Sequence, residues 1–473
     1  MRFPCLVVYV VLLGCVLGSA NGQTSKPNIV LLLTDDQCFD TISALGHPEV
    51  KTPNLDRLAH RGVAFTNAYN MGGWNGAICV ASRTMMNTGR FIWRAHQLDS
   101  KEKLQERAAE RKMFSQRLHD AGYTTYMSGK WHVKIDAEEI FDHVRHVRPG
   151  MPKDTPSSYS RPNDKDDWHP WDTALGGFWE GGKHWSEVLA DDALDYISMA
   201  KEDSRPYFMY LAFNAPHDPR QSPKEFVDMY PRQQIAIPIN FLPENPFMEQ
   251  MGAGKSLRDE KLSSWPRTAA AVQLHRQEYY ALITHLDTQI GRILDALETS
   301  GQADNTYIVM TADHGLACGQ HGLLGKQSMY EHSMKAPLLV AGPGIPRDKR
   351  ISAPVYVQDF MATALDWADV SDTEDVEFRS LLPLIAGVRS QQYSTIYGAY
   401  EMNRQRMIRS GNYKLIYYPQ ADKYLLFNVA SDPYELEDLS ENAAFGPQFA
   451  SLQVQLNQLM SDMGDPMLQN QAQ

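Results

Sequence analysis

The stretch Pro27-Asn28-Ile29-Val30-Leu31-Leu32-Leu33-Thr34-Asp35-Asp36 decides how the rest of the chain is read. Its apolar run does not alternate with polar residues, so neither face of the segment is meant for water. That pattern suits a strand buried on both sides within a parallel sheet. It stops at two adjacent carboxylates. The same arrangement recurs downstream: Tyr123 to Met127 leads into Gly129-Lys130-Trp131-His132, and Pro206 to Phe213 into Pro216-His217-Asp218-Pro219. Tyr307 to Thr311 leads into Asp313-His314-Gly315, and Ala336 to Ala341 reads as a further strand. Helices lie between them. Thr52 to Ala59 has a capping threonine, Pro53 in its first turn and Gly62 as its stop. Leu282, Leu286, Ile290, Ile293 and Leu297 share one helical face that ends at Gly301. Alternating strands and helices predict an α/β fold, and open α/β sheets bind ligands at the carboxyl ends of their strands. Asp35 and Asp313 are therefore expected to meet.

Outward from this core, 473 residues suffice for one large α/β unit and a smaller one. The boundaries are expected at 23–390 for the catalytic unit and 391–473 for a C-terminal α+β unit. In the latter, Tyr393–Tyr400, Arg406–Ser410, Tyr413–Pro419 and Lys423–Val429 read as short antiparallel strands, followed by a helix near Phe449 to Met463. The stretch from Asp136 to Ser186 lacks periodicity and reads as long loops.

Residues 1–22 read as a signal peptide: Arg2, an apolar run from Phe3 to Leu17, then Gly18-Ser19-Ala20-Asn21-Gly22. Export to the periplasm or the medium follows. Leu12-Leu13-Gly14-Cys15 faintly resembles a lipoprotein motif, but apolar residues continue past Cys15. No later segment is apolar for long enough to span a bilayer, so the mature chain is expected to carry no transmembrane anchor. The net charge of -12 argues against nucleic acid as a partner. It leaves an anionic small substrate open, because a few local cations can dominate a pocket. Of five cysteines, Cys5 and Cys15 fall in the leader. Cys38 and Cys318 read as buried thiols, with a bond between them left open.

Asp35-Asp36 and Asp313-His314 both follow buried strands. Adjacent carboxylates repel, so gathering them at one sheet edge requires a compensating cation. Carboxylates with further oxygen ligands suit Ca²⁺ or Mg²⁺. The alternative is that each aspartate merely caps a turn.

The strongest local signal is Cys79-Val80-Ala81-Ser82-Arg83, continuing to Thr88-Gly89-Arg90. It resembles the signature of the type I, formylglycine-dependent sulfatases, whose fold is alkaline-phosphatase-like: a mixed, mostly parallel sheet flanked by helices, with a smaller C-terminal antiparallel sheet plus helix. Pro27–Gln37, Gly129–His132, Pro216–Pro219, Thr311–Gly315 with Lys326, and Leu426–Leu439 resemble further elements of that family, in the same order. In motif the chain is nearest to iduronate-sulfatase, choline-sulfatase and polysaccharide-sulfatase types.

The resemblance implies that a maturation enzyme oxidises Cys79 to Cα-formylglycine (3-oxoalanine). One oxygen of the hydrated aldehyde attacks sulfur, and the other expels sulfate by reforming the carbonyl, so one difficult displacement becomes two easier steps. Asp35, Asp36, Asp313 and His314 would ligate Ca²⁺, or Mg²⁺, together with the modified Cys79. His314 stands where the family commonly has asparagine. Arg83, one helical turn after Cys79, would hold the diol and the carboxylates. Lys130 and Lys326 would neutralise the sulfate, His132 would act as base in its release, and His217 as acid toward the leaving alcohol. The plainer alternatives are solvated lysines and core histidines.

Export and a cluster of rings in the central loops suggest a sulfated oligo- or polysaccharide as substrate. Trp168, His169, Trp171, His184 and Trp185 can stack on sugar rings or pack together as a small core. Arg404 and Arg406 can reach over the site or sit in a solvated turn. Two rival functions stand beside the sulfatase reading: a phosphate or phosphonate ester hydrolase on the same fold, and a non-catalytic glycan-binding homologue.

Overall fold

The computed structural model describes residues 26–153, 155–163 and 167–471. The expected signal peptide lies outside these residues. The main sheet has eight strands. In chain order they are β1 (Asn28–Thr34), β2 (Val63–Phe65), β3 (Thr124–Lys130), β4 (His143–Arg148), β5 (Tyr207–Ala212), β6 (Thr306–Ala312), β7 (Leu338–Ala341) and β8 (Lys349–Ile351). Their spatial order is β8-β2-β7-β6-β1-β5-β3-β4. From β6 through β1, β5 and β3 to β4 every pairing is parallel, whereas β7 runs antiparallel to both β6 and β2. The fold is thus the mixed, mostly parallel α/β sheet that the sequence predicts.

The continuous apolar run of β1 has its physical reason in the packing. Ile29, Leu31 and Leu33 face one hydrophobic layer, with Phe114, Leu118, Phe360 and Leu365. Val30 and Leu32 face the opposite layer, with Leu282, Leu286, Ile290, Ile293 and Leu297. Those five belong to the long helix Ala269–Thr299, whose first turn is capped by the Thr268 side chain. Each fully buried leucine or isoleucine contributes about 1.5–3 kcal/mol, so alternation would have sacrificed one layer.

Register then sets the site. Thr34 pairs with Ala312, Leu33 with Ala212, and Gly129 with Ala212. The residues just past these pairs, Asp35, Asp313 and Lys130, consequently lie side by side at one edge of the sheet.

The second sheet carries β9 (Thr395–Tyr400), β10 (Gln405–Ser410), β11 (Tyr413–Tyr418) and β12 (Lys423–Asn428), all antiparallel neighbours. The helix Gly446–Met463 packs on it through Leu452, Leu456 and Met460. A two-residue strand, Gly72–Gly73, joins this sheet in parallel with β9. A Cβ on Gly72 would lie 1.9 Å from the Ala399 carbonyl oxygen, so only glycine permits that approach.

One expectation needs correction. The stretch read as loops contains the sheet-edge strand β4, a small antiparallel pair, Trp179–Glu180 with Lys183–His184, and the start of the helix Trp185–Lys201. As an edge strand, β4 keeps most of its side chains part-exposed and alternates His, Val and Arg, which hides it from a search for buried runs. Cys38 and Cys318 are separate, buried free thiols.

Candidate active site

The helix Ile78–Thr88 begins at the sheet edge just described, and every one of its residues is buried. It ends at Gly89, whose φ of 72° is the left-handed conformation that closes helices. Cys79 sits in its first turn. Arg83, one turn on, donates from Nε to Asp313 Oδ2 at 3.0 Å and from Nη1 to the Lys130 carbonyl oxygen at 2.7 Å. It therefore ties the helix to the ends of β6 and β3. Ser82 adds a bond to the Asp313 carbonyl oxygen at 2.7 Å and is itself held by Gln358.

The charged groups expected from sequence converge on Cys79. Lys326 Nζ lies 2.9 Å from both carboxylate oxygens of Asp36, 3.5 Å from Cys79 Sγ and 3.0 Å from His217 Nε2. Lys130 pairs directly with Asp35. His314 Nε2 lies 3.4 Å from Cys79 Sγ and 3.2 Å from Asp36 Oδ1. His132 is held at a positive φ of 58°, and its ring packs so closely on Gly150 that a Cβ there would come within 2.3 Å of it. Cys79, His132, His217 and Lys326 line one cavity of about 460 Å³.

The cluster could hold a cation. Asp35, Cys79, Asp313 and His314 offer ligand atoms within 4.8 Å of one another, as do Asp35, Asp36, Cys79 and His217. Asp35 Oδ1 is buried with no hydrogen-bond partner. Burial pushes the Asp35 carboxyl well up, against the pull of Lys130. Burial alone would lower His314, but Asp313, Asp36 and Cys79 hold its pKa up to about 9. The carboxylates thus draw positive charge onto the nearest group able to supply it. Three aspartates with an unmatched buried oxygen suit a hard divalent cation. Burial lowers His132, which leaves its imidazole neutral at neutral pH.

The expected sugar-reading residues are elsewhere. Trp168 is buried beneath the Arg161 guanidinium, 4.5 Å from its ring centroid. His184 is buried and caps the helix Trp185–Lys201. His169 stacks on Trp171, and Arg148 covers Trp185. Arg406 is buried against Asp465 and over Trp93, while Arg404 bonds the Glu249 carbonyl oxygen. None of the seven lines the cavity. Its open wall is made instead by Gly76, Ala77, Pro149, Gly150, Met151, Leu257 and Arg258. Those residues come from irregular segments with no periodic signal, which is why sequence reasoning passed over them.

The family model described as Sulfatase matches residues 27–370. The chain belongs to the sulfatase family. A second model, N-sulphoglucosamine sulphohydrolase, C-terminal, matches residues 319–462. Among curated proteins, the N-acetylglucosamine-6-O-sulfatase of Bacteroides thetaiotaomicron is 25% identical, with 93% of this chain and 86% of that protein covered. A solved complex with D-glucosamine-2-N,6-O-disulfate as its substrate superposes with a TM-score of 0.72 at 23% identity, covering 93% of this chain and 99% of the other. A phosphonate monoester hydrolase from Silicibacter pomeroyi superposes with a TM-score of 0.74 at 21% identity, covering 93% and 96%. These two structures share the fold. The protein is a sulfatase, a hydrolase of sulfuric esters. Among the described residues no helix is long and apolar enough to cross a membrane.

Proposed function

We propose that this sulfatase hydrolyses a sulfate ester on an exported, carbohydrate-directed pathway, with Cys79 matured to formylglycine and a divalent cation, Ca²⁺ by preference, at Asp35, Asp36, Asp313 and His314. The observation that carries this reading is the setting of Cys79. Its sulfur, in the first turn of the helix Ile78–Thr88, stands where the hydrated aldehyde oxygens would be, with Lys326 and His314 within 3.5 Å. Cys79 is buried at the base of the cavity, so a maturation enzyme must reach it before the chain closes.

The bound cation would supply charge that holds sulfate oxygens and makes the attacking hydroxyl more acidic. The protein's own groups do the rest. One diol hydroxyl, losing its proton to solvent, attacks sulfur through its oxygen, the ester S–O bond breaks, and His217, beside Lys326, gives its proton to the leaving alcohol oxygen. His132, neutral through burial, then takes the proton of the second hydroxyl. The carbonyl reforms as the bond from its carbon to the sulfated oxygen breaks, and sulfate leaves. Water restores the hydrate. Lys130 and Lys326 offset the charge that builds up.

The carbohydrate side is supported by the relative named for N-acetylglucosamine-6-O-sulfate and by the neighbour solved with a sulfated glucosamine. The test pairs two measurements on protein from its native host: mass spectrometry of the peptide spanning Cys79, and sulfate release from a panel of sulfated oligosaccharides with phosphate esters run in parallel. Formylglycine and preferential sulfate release are expected. Unmodified cysteine, or faster turnover of phosphate, overturns the reading.

A further inference from the structure

The cavity has one cation whose role the reaction does not absorb. Arg258 lies on the open wall, and its side chain is 33% exposed, whereas Lys326 and His217 are buried. Two carboxylates hold it from behind: Asp259, buried and itself fixed by Gln327 at 2.8 Å, and Asp218 at 3.3 Å. Both acids are nearly inaccessible, so the side of this trio that a ligand meets is the guanidinium. Its Nη2 is 3.4 Å from Nε2 of His217, the residue proposed to protonate the leaving oxygen. Among the described residues its Nη1 has only the Met151 sulfur as a hydrogen-bond partner, and Met151 lines the same cavity. A thioether is a weak acceptor, so among the described residues this strong donor, in a partly desolvated site, has no oxygen to bond.

We propose that Arg258 reads a second anionic group on the substrate, a carboxylate or a further sulfate, carried by the same sugar ring next to the carbon that bears the scissile ester. This deepens the carbohydrate-sulfatase reading and rests on it. Three points favour an anion over a neutral group. The guanidinium is anchored from behind by two carboxylates, which removes most of its rotamer freedom before the ligand arrives. Asp259 and Asp218 take Nε and Nη2, which leaves Nη1, met only by a thioether among the described residues, to donate to a carboxylate or sulfate oxygen. The rest of the open wall, Pro149, Met151 and Leu257, is apolar and offers no competing donor side chain. The distance to His217 sets the position. An anion on the neighbouring ring carbon reaches Arg258 while the leaving oxygen reaches His217. A site built to bond a group rejects analogues that lack it, so Arg258 confers selectivity rather than turnover.

The test compares matched sugars on the matured enzyme: a monosulfated neutral sugar, the same ester on a uronic acid, and the same ester with an adjacent second sulfate. The parent is expected to favour one of the two doubly anionic sugars by 30-fold or more in kcat/KM, and the favoured one identifies the group. Arg258→Gln is expected to collapse that ratio to below threefold, chiefly through KM, with Arg258→Lys intermediate. Equal losses on all three sugars would show that Arg258 only positions His217, and would overturn the proposal. So would a parent that prefers the neutral sugar. A parent that releases no sulfate from any sugar, yet cleaves an aryl sulfate, would instead refute the carbohydrate reading itself.

Discussion

Arg83 Nε bonds Asp313 Oδ2 at 3.0 Å with both side chains wholly buried. One guanidinium thus links the helix that carries Cys79 to a carboxylate of the cation cluster, while its Nη1 holds the end of β3. Removing one member of a buried pair strands the other, at a cost of about 3–5 kcal/mol. Arg83→Ala is expected to lose that much stability in urea unfolding. Arg83→Lys, which keeps the charge but not the fork, should fold and still lose activity on the order of 100-fold. Full activity in Arg83→Lys would show that charge alone suffices.

Gly150 gives a sharper probe of the base. Its missing Cβ is the space that His132 occupies. Gly150→Ala should displace the imidazole and slow sulfate release by about 10²–10⁴-fold, the usual contribution of a positioned base. Protein carrying a covalent sulfate should then accumulate during turnover, visible as added mass on the peptide containing residue 79. Loss of activity without that adduct would place the defect in the first step instead.

The proposed cation has a readout besides turnover. Among the described residues Asp35 Oδ1 is buried with no hydrogen-bond partner, and Asp313 and Asp36 crowd a carboxylate that Lys130 pairs with only at Oδ2. Chelation should lower the melting temperature, and Ca²⁺ should restore it in a concentration-dependent way. Asp35→Asn should blunt the response. A melting temperature indifferent to chelator and cation alike would remove the metal from the site.

Away from the site, Asp359 predicts a pH dependence. Burial pushes its carboxyl from its usual 3.8 up to about 7, against hydrogen bonds from Tyr393 and the Tyr356 and Arg379 amides. The native state therefore holds this proton more tightly than the unfolded chain between those values. Stability relative to Asp359→Asn is highest below about pH 4 and falls as pH rises to about 7, by at most about 1.4 kcal/mol per pH unit. Unfolding of parent and variant at pH 5 and pH 8 measures it. A difference that grows with pH would reverse the sign and reject the account.

Residues differ in how much they disclose before folding. The run Ile29 to Leu33 declares its place, because burial on both faces leaves a mark in every residue. Asp35, Asp313, Lys130 and His217 are legible for the same reason: each sits just past such a run. Strand β4 is not, since an edge position permits polar alternation. Arg406 reads as a surface cation because its partner, Asp465, lies far along the chain in a short terminal segment. Trp168 looks like a sugar platform until Arg161 is seen covering it. Arg258 leaves no trace at all, because its meaning comes only from what folding places opposite it.

Gly72–Gly73 has a genealogical consequence. That pair of glycines lends a strand to the far sheet and then, a few residues later, begins the helix of Cys79. The carboxy-terminal region is therefore no cassette that recombination can trade freely between relatives. A swapped version would arrive without its border strand, and the mismatch would be felt first at the helix that carries Cys79. A chimera joined between Gly73 and Thr395 separates the two pairing partners, whereas one joined before Gly72 keeps them together.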